Sequence, residues 1–199
     1  MITARPANPA DATALAALFE ATGSSCYCRY FHFEGDKNDW LARCALEPDQ
    51  NRAEMVTALE SGSDDGHGIA AEADGSVIGW AKIAPAYAIK KAYAQRYYAR
   101  LPTLQGDREG VWLLACFLVH PDWRRKGTSR ALIRAAIEEA RRLGARSLEA
   151  LPSQVAPPAR DEELFTGSIE ALEKEGFGRA GGDPAYPVMR IDLTSEKPT

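Results

Sequence analysis

The stretch FLVHPDWRRKGTSRALI, Phe117 to Ile133, carries an apolar strand into a helix through Arg124, Arg125, Lys126 and Gly127. The first backbone N–H groups of a helix lack intrahelical partners. They also stand at the positive end of the helix dipole. A strand that enters a helix through a tight glycine turn therefore presents donors suited to phosphate. Gly127 lets a ligand approach the backbone closely. Thr128 and Ser129 add small hydroxyl side chains, and the three basic residues add charge beside the donors. The turn reads as a diphosphate site. It is neither of two familiar phosphate loops, because the chain contains no G-x-x-x-x-G-K-[ST] and no G-x-G-x-x-G.

Outward from this turn the chain reads as one α/β domain. Residues 111–119, VWLLACFLV, are a continuous apolar run, as in a strand buried on both faces. Residues 128–143 form the clearest helix. Leu132, Ala135, Ala136, Ala140 and Leu143 make its apolar stripe, while Arg134, Glu138, Arg141 and Arg142 face water. Gly144 is the expected cap, and residues 146–151 read as the next strand. Strand, helix and strand within about 40 residues suit a right-handed parallel crossover. Residues 68–73 and 77–83 read as a hairpin around Asp74-Gly75. Residues 11–22, 38–46 and 51–59 read as helices, the first closed by Gly23 and the other two parted by Pro48. Residues 88–101, with Ile89, Tyr93 and Tyr97 four apart, read as a helix. So do residues 162–175, after a loop over 153–160. Residues 188–193 form a last strand.

The 199 residues are 45% hydrophobic and 26% charged, with a formal net charge of -4. That balance fits a folded domain and argues against a general nucleic-acid or membrane-surface binder. No run of about 18 apolar residues is present. The start lacks the pattern of a secretory signal, so a cytoplasmic location with reduced thiols is expected. Of the four cysteines, only Cys26 and Cys28 are closely spaced; Cys44, His32 and His67 are scattered. Free thiols are therefore expected rather than a metal site.

The segment Arg124-Arg125-Lys126-Gly127-Thr128-Ser129 resembles the [Q/R]-x-x-G-x-[G/A] motif of the GNAT N-acetyltransferase superfamily, with Ser129 in place of the second small residue. VHPDWRRKG is similar to that family's V-x-P-x-x-R-x-x-G, and ALEKEGF, residues 171–177, to its x-Y-E-K-x-G-F. The resemblance is specific over 111–177; before Gly68 it rests on element order. It implies a single α/β domain: a mixed, mostly antiparallel sheet with helices on both faces, whose parallel fourth and fifth strands splay apart. Residues 1–67 would be a helical substrate-side region, 68–193 the core sheet and coenzyme site, and 194–199 a frayed tail.

The resemblance further implies an enzyme that moves an acetyl group from acetyl-CoA directly to a primary amine, without a metal. Phe117, Leu118 and Val119 would flank the pantetheine arm. Arg124, Arg125, Lys126, Gly127, Thr128, Ser129 and Arg130 would hold the pyrophosphate. Glu149, at the end of the fifth strand, is the candidate base. The family's acidic tyrosine is replaced by Leu172, so either water protonates the leaving thiolate or another hydroxyl, Ser168 or Tyr186, takes over. Cys116 reads as core packing and His120 as a strand-end surface residue. Cys26, Tyr27, Cys28 and Tyr30 lie in an aromatic loop that either lines the acceptor pocket or forms a small core. Residues 88–101 would be a lid or a homodimer face. Three alternatives stand beside this reading: an acyl-CoA sensor with little turnover, a longer acyl group, and a phosphate-binding domain of another class.

Overall fold

The computed structural model describes residues 1–155 and 164–194. A seven-stranded sheet has the order β1-β2-β3-β4-β5-β7-β6. Its strands are β1 (Thr3–Pro6), β2 (Gly68–Ala73), β3 (Ser76–Pro85), β4 (Val111–Val119), β5 (Ser147–Ala150), β6 (Gly178–Asp183) and β7 (Tyr186–Asp192). Every neighbouring pair is antiparallel except β4 and β5. Helix α5 (Thr128–Arg142) is the crossover between those two. This is the mixed, mostly antiparallel sheet that the family resemblance implied. No described helix is long and apolar enough to cross a membrane.

The two sheet faces are covered differently. Helix α5 lays Leu132, Ile133, Ala136, Ile137 and Ala140 on Ile69, Ala71, Ile83 and Leu114. On the opposite face, α1 (Ala12–Ala21) and α3 (Pro48–Ser61) bring Leu15, Leu18, Phe19, Met55 and Leu59 against Trp80. Beside them Ile89, Ala92, Tyr98 and Leu104 cover Leu113, Leu151 and Val188. This double covering explains why β4 is apolar throughout. Gly79 of β3 sits under the first turn of α5: a Cβ there would lie 2.9 Å from Thr128 Cγ2 and 3.3 Å from Leu132 Cδ1.

Several expectations need correction. Residues 88–101 are not one helix. Only α4 (Lys90–Tyr93) is helical, followed by turns. Tyr98 is buried in the core, and Tyr97 stacks on Tyr186 with centroids 3.7 Å apart. These aromatic contacts across the fold override the four-residue spacing. The helix expected over 162–175 is described only as α6 (Ile169–Lys174). Gly167, at φ +94, and Ser168, an extended N-cap, delay its start. Residues 162–163, most of the 153–160 loop and the tail from 195 lie outside the described residues. The region through 67 also supplies an edge strand, β1. β6, sequence GRAGGD and mostly exposed, went unread because it lacks alternation.

Gly79→Val should overpack the β3–α5 contact and cost about 1–3 kcal/mol of stability. Urea unfolding would measure this; an unchanged midpoint would show that α5 can move away freely.

Candidate functional site

β4 and β5 pair only from Val111↔Ser147 to Leu114↔Ala150. β4 then continues to Val119 without β5. On its other side Lys82 pairs with Cys116 and Ile83 with Leu114, so Ala115 is an extra, bulged residue. Beyond the last β4–β5 pair a cleft of about 1500 Å³ opens along β4, with the start of α5 at one end and the 22–31 loop and α2 (Lys37–Leu46) at the other. Leu164, Phe165 and Ser168 form part of its wall. The Phe117 N–H crosses the gap and donates to the Phe165 carbonyl at 2.6 Å.

The phosphate-type turn has the backbone that its sequence suggests. Arg125 and Gly127 both hold left-handed conformations, at φ +58 and +89. They turn the chain so that the open amides of α5 face the cleft. A Cβ on Gly127 would meet no protein atom, so it is the conformation rather than packing that calls for glycine. Phe117, Leu118, Val119, Arg124, Arg125, Gly127, Thr128, Ser129 and Arg130 all line the cleft. Two differ in detail from expectation. Lys126 does not line it and stands 5.3 Å from the Trp123 ring centre. The Thr128 hydroxyl turns inward and donates to the Trp123 carbonyl at 2.9 Å, leaving its amide for a ligand. Arg124 Nε reaches the Val119 carbonyl at 3.2 Å, and Arg130 Nε reaches Glu175 at 2.7 Å.

Of the proton-transfer candidates, only Ser168 reaches the cleft. It caps α6 by accepting from the Ala171 N–H at 3.4 Å, which leaves its own O–H to donate. Glu149 is 0% exposed and does not line the cleft. Its carboxylate takes Arg108 Nη2 at 2.6 Å, Arg190 Nη2 at 2.6 Å and the Tyr93 hydroxyl at 2.9 Å. Burial and the Glu149 charge push the Tyr93 phenol well up. The residue expected to act as base is thus enclosed as an ion-pair centre. Leu172 is buried in the core, and Tyr186 lies outside the cleft against Tyr97.

At the other end of the cleft, Cys26, Cys28 and Tyr30 line the wall, but Tyr27 is buried and stacks on Phe19 at 4.8 Å. Tyr27 and Cys28 both hold positive φ, +44 and +53, a strained pair that sets Cys28 beneath the loop. Cys116 is not simple core packing: it shares the wall with Cys28. The hydrogen bond with Cys116, together with burial, pushes the Cys28 thiol well up. All four thiols are free. Among the described residues no group of three or more acidic, His or Cys side chains is placed to hold a metal. Sequence reasoning missed Lys82, Trp40 and Phe165 in the wall. Lys82 carried a signal, since it is a single lysine in the apolar run GWAKIAP.

Residues 32–161 match the family described as Acetyltransferase (GNAT) family. No curated protein is a significant match. A GCN5-related N-acetyltransferase from Kribbella flavida is 20% identical, with a TM-score of 0.56 over 96% of this chain and 98% of that one. The PaiA N-acetyltransferase of Thermoplasma acidophilum, solved with coenzyme A, is 12% identical, with a TM-score of 0.55 over 96% and 99%. A GNAT family acetyltransferase from Brucella melitensis, solved with acetyl-CoA, is 18% identical, with a TM-score of 0.52 over 100% and 92%.

Glu149→Gln should leave Arg108 and Arg190 facing a neutral amide and destabilise the fold by about 3 kcal/mol. Thermal and urea unfolding would test this; full retention of stability would remove Glu149 from its role as the tie.

Proposed function

We propose that this chain, which belongs to the GNAT acetyltransferase family, transfers the acetyl group of acetyl-CoA directly to a primary amine in a ternary complex. One observation carries the reading: a bulged β4 parts from β5 and leads, through a turn of left-handed Arg125 and Gly127, into the open amides of α5. Family membership and the coenzyme complexes of structural neighbours support the choice of acetyl-CoA.

The residues present fit such a co-substrate. The amides of residues 127–130 and the Arg125 side chain would hold the pyrophosphate, and main-chain groups of residues 117–119 the pantetheine arm. Acetyl-CoA supplies an activated carbonyl: a carbon–nitrogen bond forms to the amine, the carbon–sulfur bond breaks, and the sulfur leaves as thiolate. Phe117 would exchange its bond to Phe165 for one to the thioester oxygen and stabilise the charge that develops there. Ser168 would hydrogen-bond the departing sulfur and relay a proton to it, taking one back from water in the same step. Glu149 would act by position, fixing the end of β5 beside the cleft, with the acceptor's proton leaving to solvent. Holding the reactants in line can supply ~7–11 kcal/mol at best.

A second reading, an acyl-CoA sensor, is favoured by the Phe117–Phe165 bond and by the core placement of Leu172. Release of CoA thiol in the presence of an amine separates the two.

Gly127→Glu should weaken CoA binding at least about a hundredfold by calorimetry, because the carboxylate would repel and displace the diphosphate. Gly127→Ala is the control for backbone strain, and unchanged affinity in Gly127→Glu would overturn the cradle. Ser168→Ala should lower kcat about tenfold or more while the KM for acetyl-CoA stays the same. An unaltered kcat would assign leaving-group protonation to water.

A further inference from the structure

We infer that Lys82 is an anion receptor at the acceptor end of the cleft, and that the amine acetylated there carries a carboxylate on an apolar or aromatic body. The inference rests on the transferase reading above.

Lys82 is 3% exposed, lies on β3 directly across from Cys116 at the bulge, and forms part of the cleft wall. An ammonium has three N–H donors. One is given to the Asp65 carbonyl oxygen. Lys82 forms no ion pair with a carboxylate among the described residues. The nearby Asp65 carboxylate is committed to Arg29 Nη2 at 2.7 Å and the Ser63 hydroxyl at 2.6 Å. A buried cation with donors to spare is costly unless a ligand completes it.

The rest of the wall points to the same ligand. Its only carboxylate among the described residues, Glu170, stands on α6 and bonds to Lys174 at 2.6 Å. A polycationic amine would therefore find no counter-charge at the acceptor end. Tyr30, Phe31, Trp40 and Leu41 line that end, with the Tyr30 and Trp40 rings 5.5 Å apart and Leu41 54% exposed. An amino acid with an apolar or aromatic side chain matches both halves: its carboxylate meets Lys82 and its side chain these walls.

The groups around Lys82 make its titration readable. They are Cys28, Arg29 and His32 from the loop, Asp65 and His67 before β2, and Cys116 on β4. Burial holds Lys82 down to about 8 and His32 down to about 3, the latter leaving the imidazole neutral. Asp65 is held at about 2 by its Ser63 and Arg29 hydrogen bonds, against its burial. Above pH 8 the receptor loses its charge, so carboxylate affinity should fall about tenfold per pH unit while CoA affinity does not follow.

The test is calorimetric titration of the CoA-loaded protein with 3-phenylpropionate and with 3-phenylpropanamide. The acid should bind about ten- to hundredfold tighter than the amide. Lys82→Met should abolish that preference without altering CoA affinity. Initial rates with phenylalanine should likewise exceed those with phenethylamine. Equal binding of acid and amide, binding of neither, or an unchanged preference in Lys82→Met would overturn the inference. Failure to bind CoA at all would instead bring down the transferase reading.

Discussion

The parting of β4 from β5 is the constraint on which the rest of the molecule depends. Two parallel strands that stop pairing leave backbone donors and acceptors facing a gap, and buried groups of that kind must find other partners. Four register pairs hold the strands together, and the bulge at Ala115 then turns β4 away. The Arg125–Gly127 turn lies just past the end of β4, and Gly79 lets the first turn of α5 press close to β3, so cleft and turn are fixed relative to one another.

The junction is riveted just before it opens. Glu149 stands on β5 opposite Leu113 of β4 and Arg190 of β7. It gathers Arg108 from the loop before β4, Arg190, and Tyr93 from α4. Four separate segments meet at one carboxylate. Such a cluster satisfies its own charges and specifies how the strands and the covering segment are arranged, whatever its net contribution to stability. The same position in sequence reads as a catalytic base, because a carboxylate at a strand end is compatible with both roles and only its neighbours decide between them.

The legible parts of the chain were those governed by local rules. Asp74-Gly75 does turn a hairpin, with φ +51 and +77. Gly23 closes α1 and Gly144 follows α5, both at positive φ. The strand–turn–helix around Gly127 follows from its own residues. Harder to read were features decided by distant contacts. Tyr97 abandons a helical spacing to stack on Tyr186. β6 has no pattern because both its faces are largely wet. Tyr27 and Cys28 look equivalent in sequence, yet one is core and the other cleft wall. Lys82 was passed over because a lysine in a strand ordinarily points to water, and only its depth in the fold makes it unusual.

The bond between Phe117 and Phe165 has a kinetic and thermodynamic side. It occupies the amide of Phe117 on β4, and it holds Phe165 with half of its surface in water, 49% exposed. Occupation of the gap is therefore two equilibria in series, an opening and a docking. With a net value of about 1 kcal/mol for the bond, the open population is a minority and the apparent dissociation constant exceeds the intrinsic one about sixfold. Association would also depend on the opening rate rather than on diffusion alone. Affinity for a ligand of the gap is then tuned by Thr166 and Gly167, which lie in the same segment but outside the cleft wall, simply by changing how often the gap stands open.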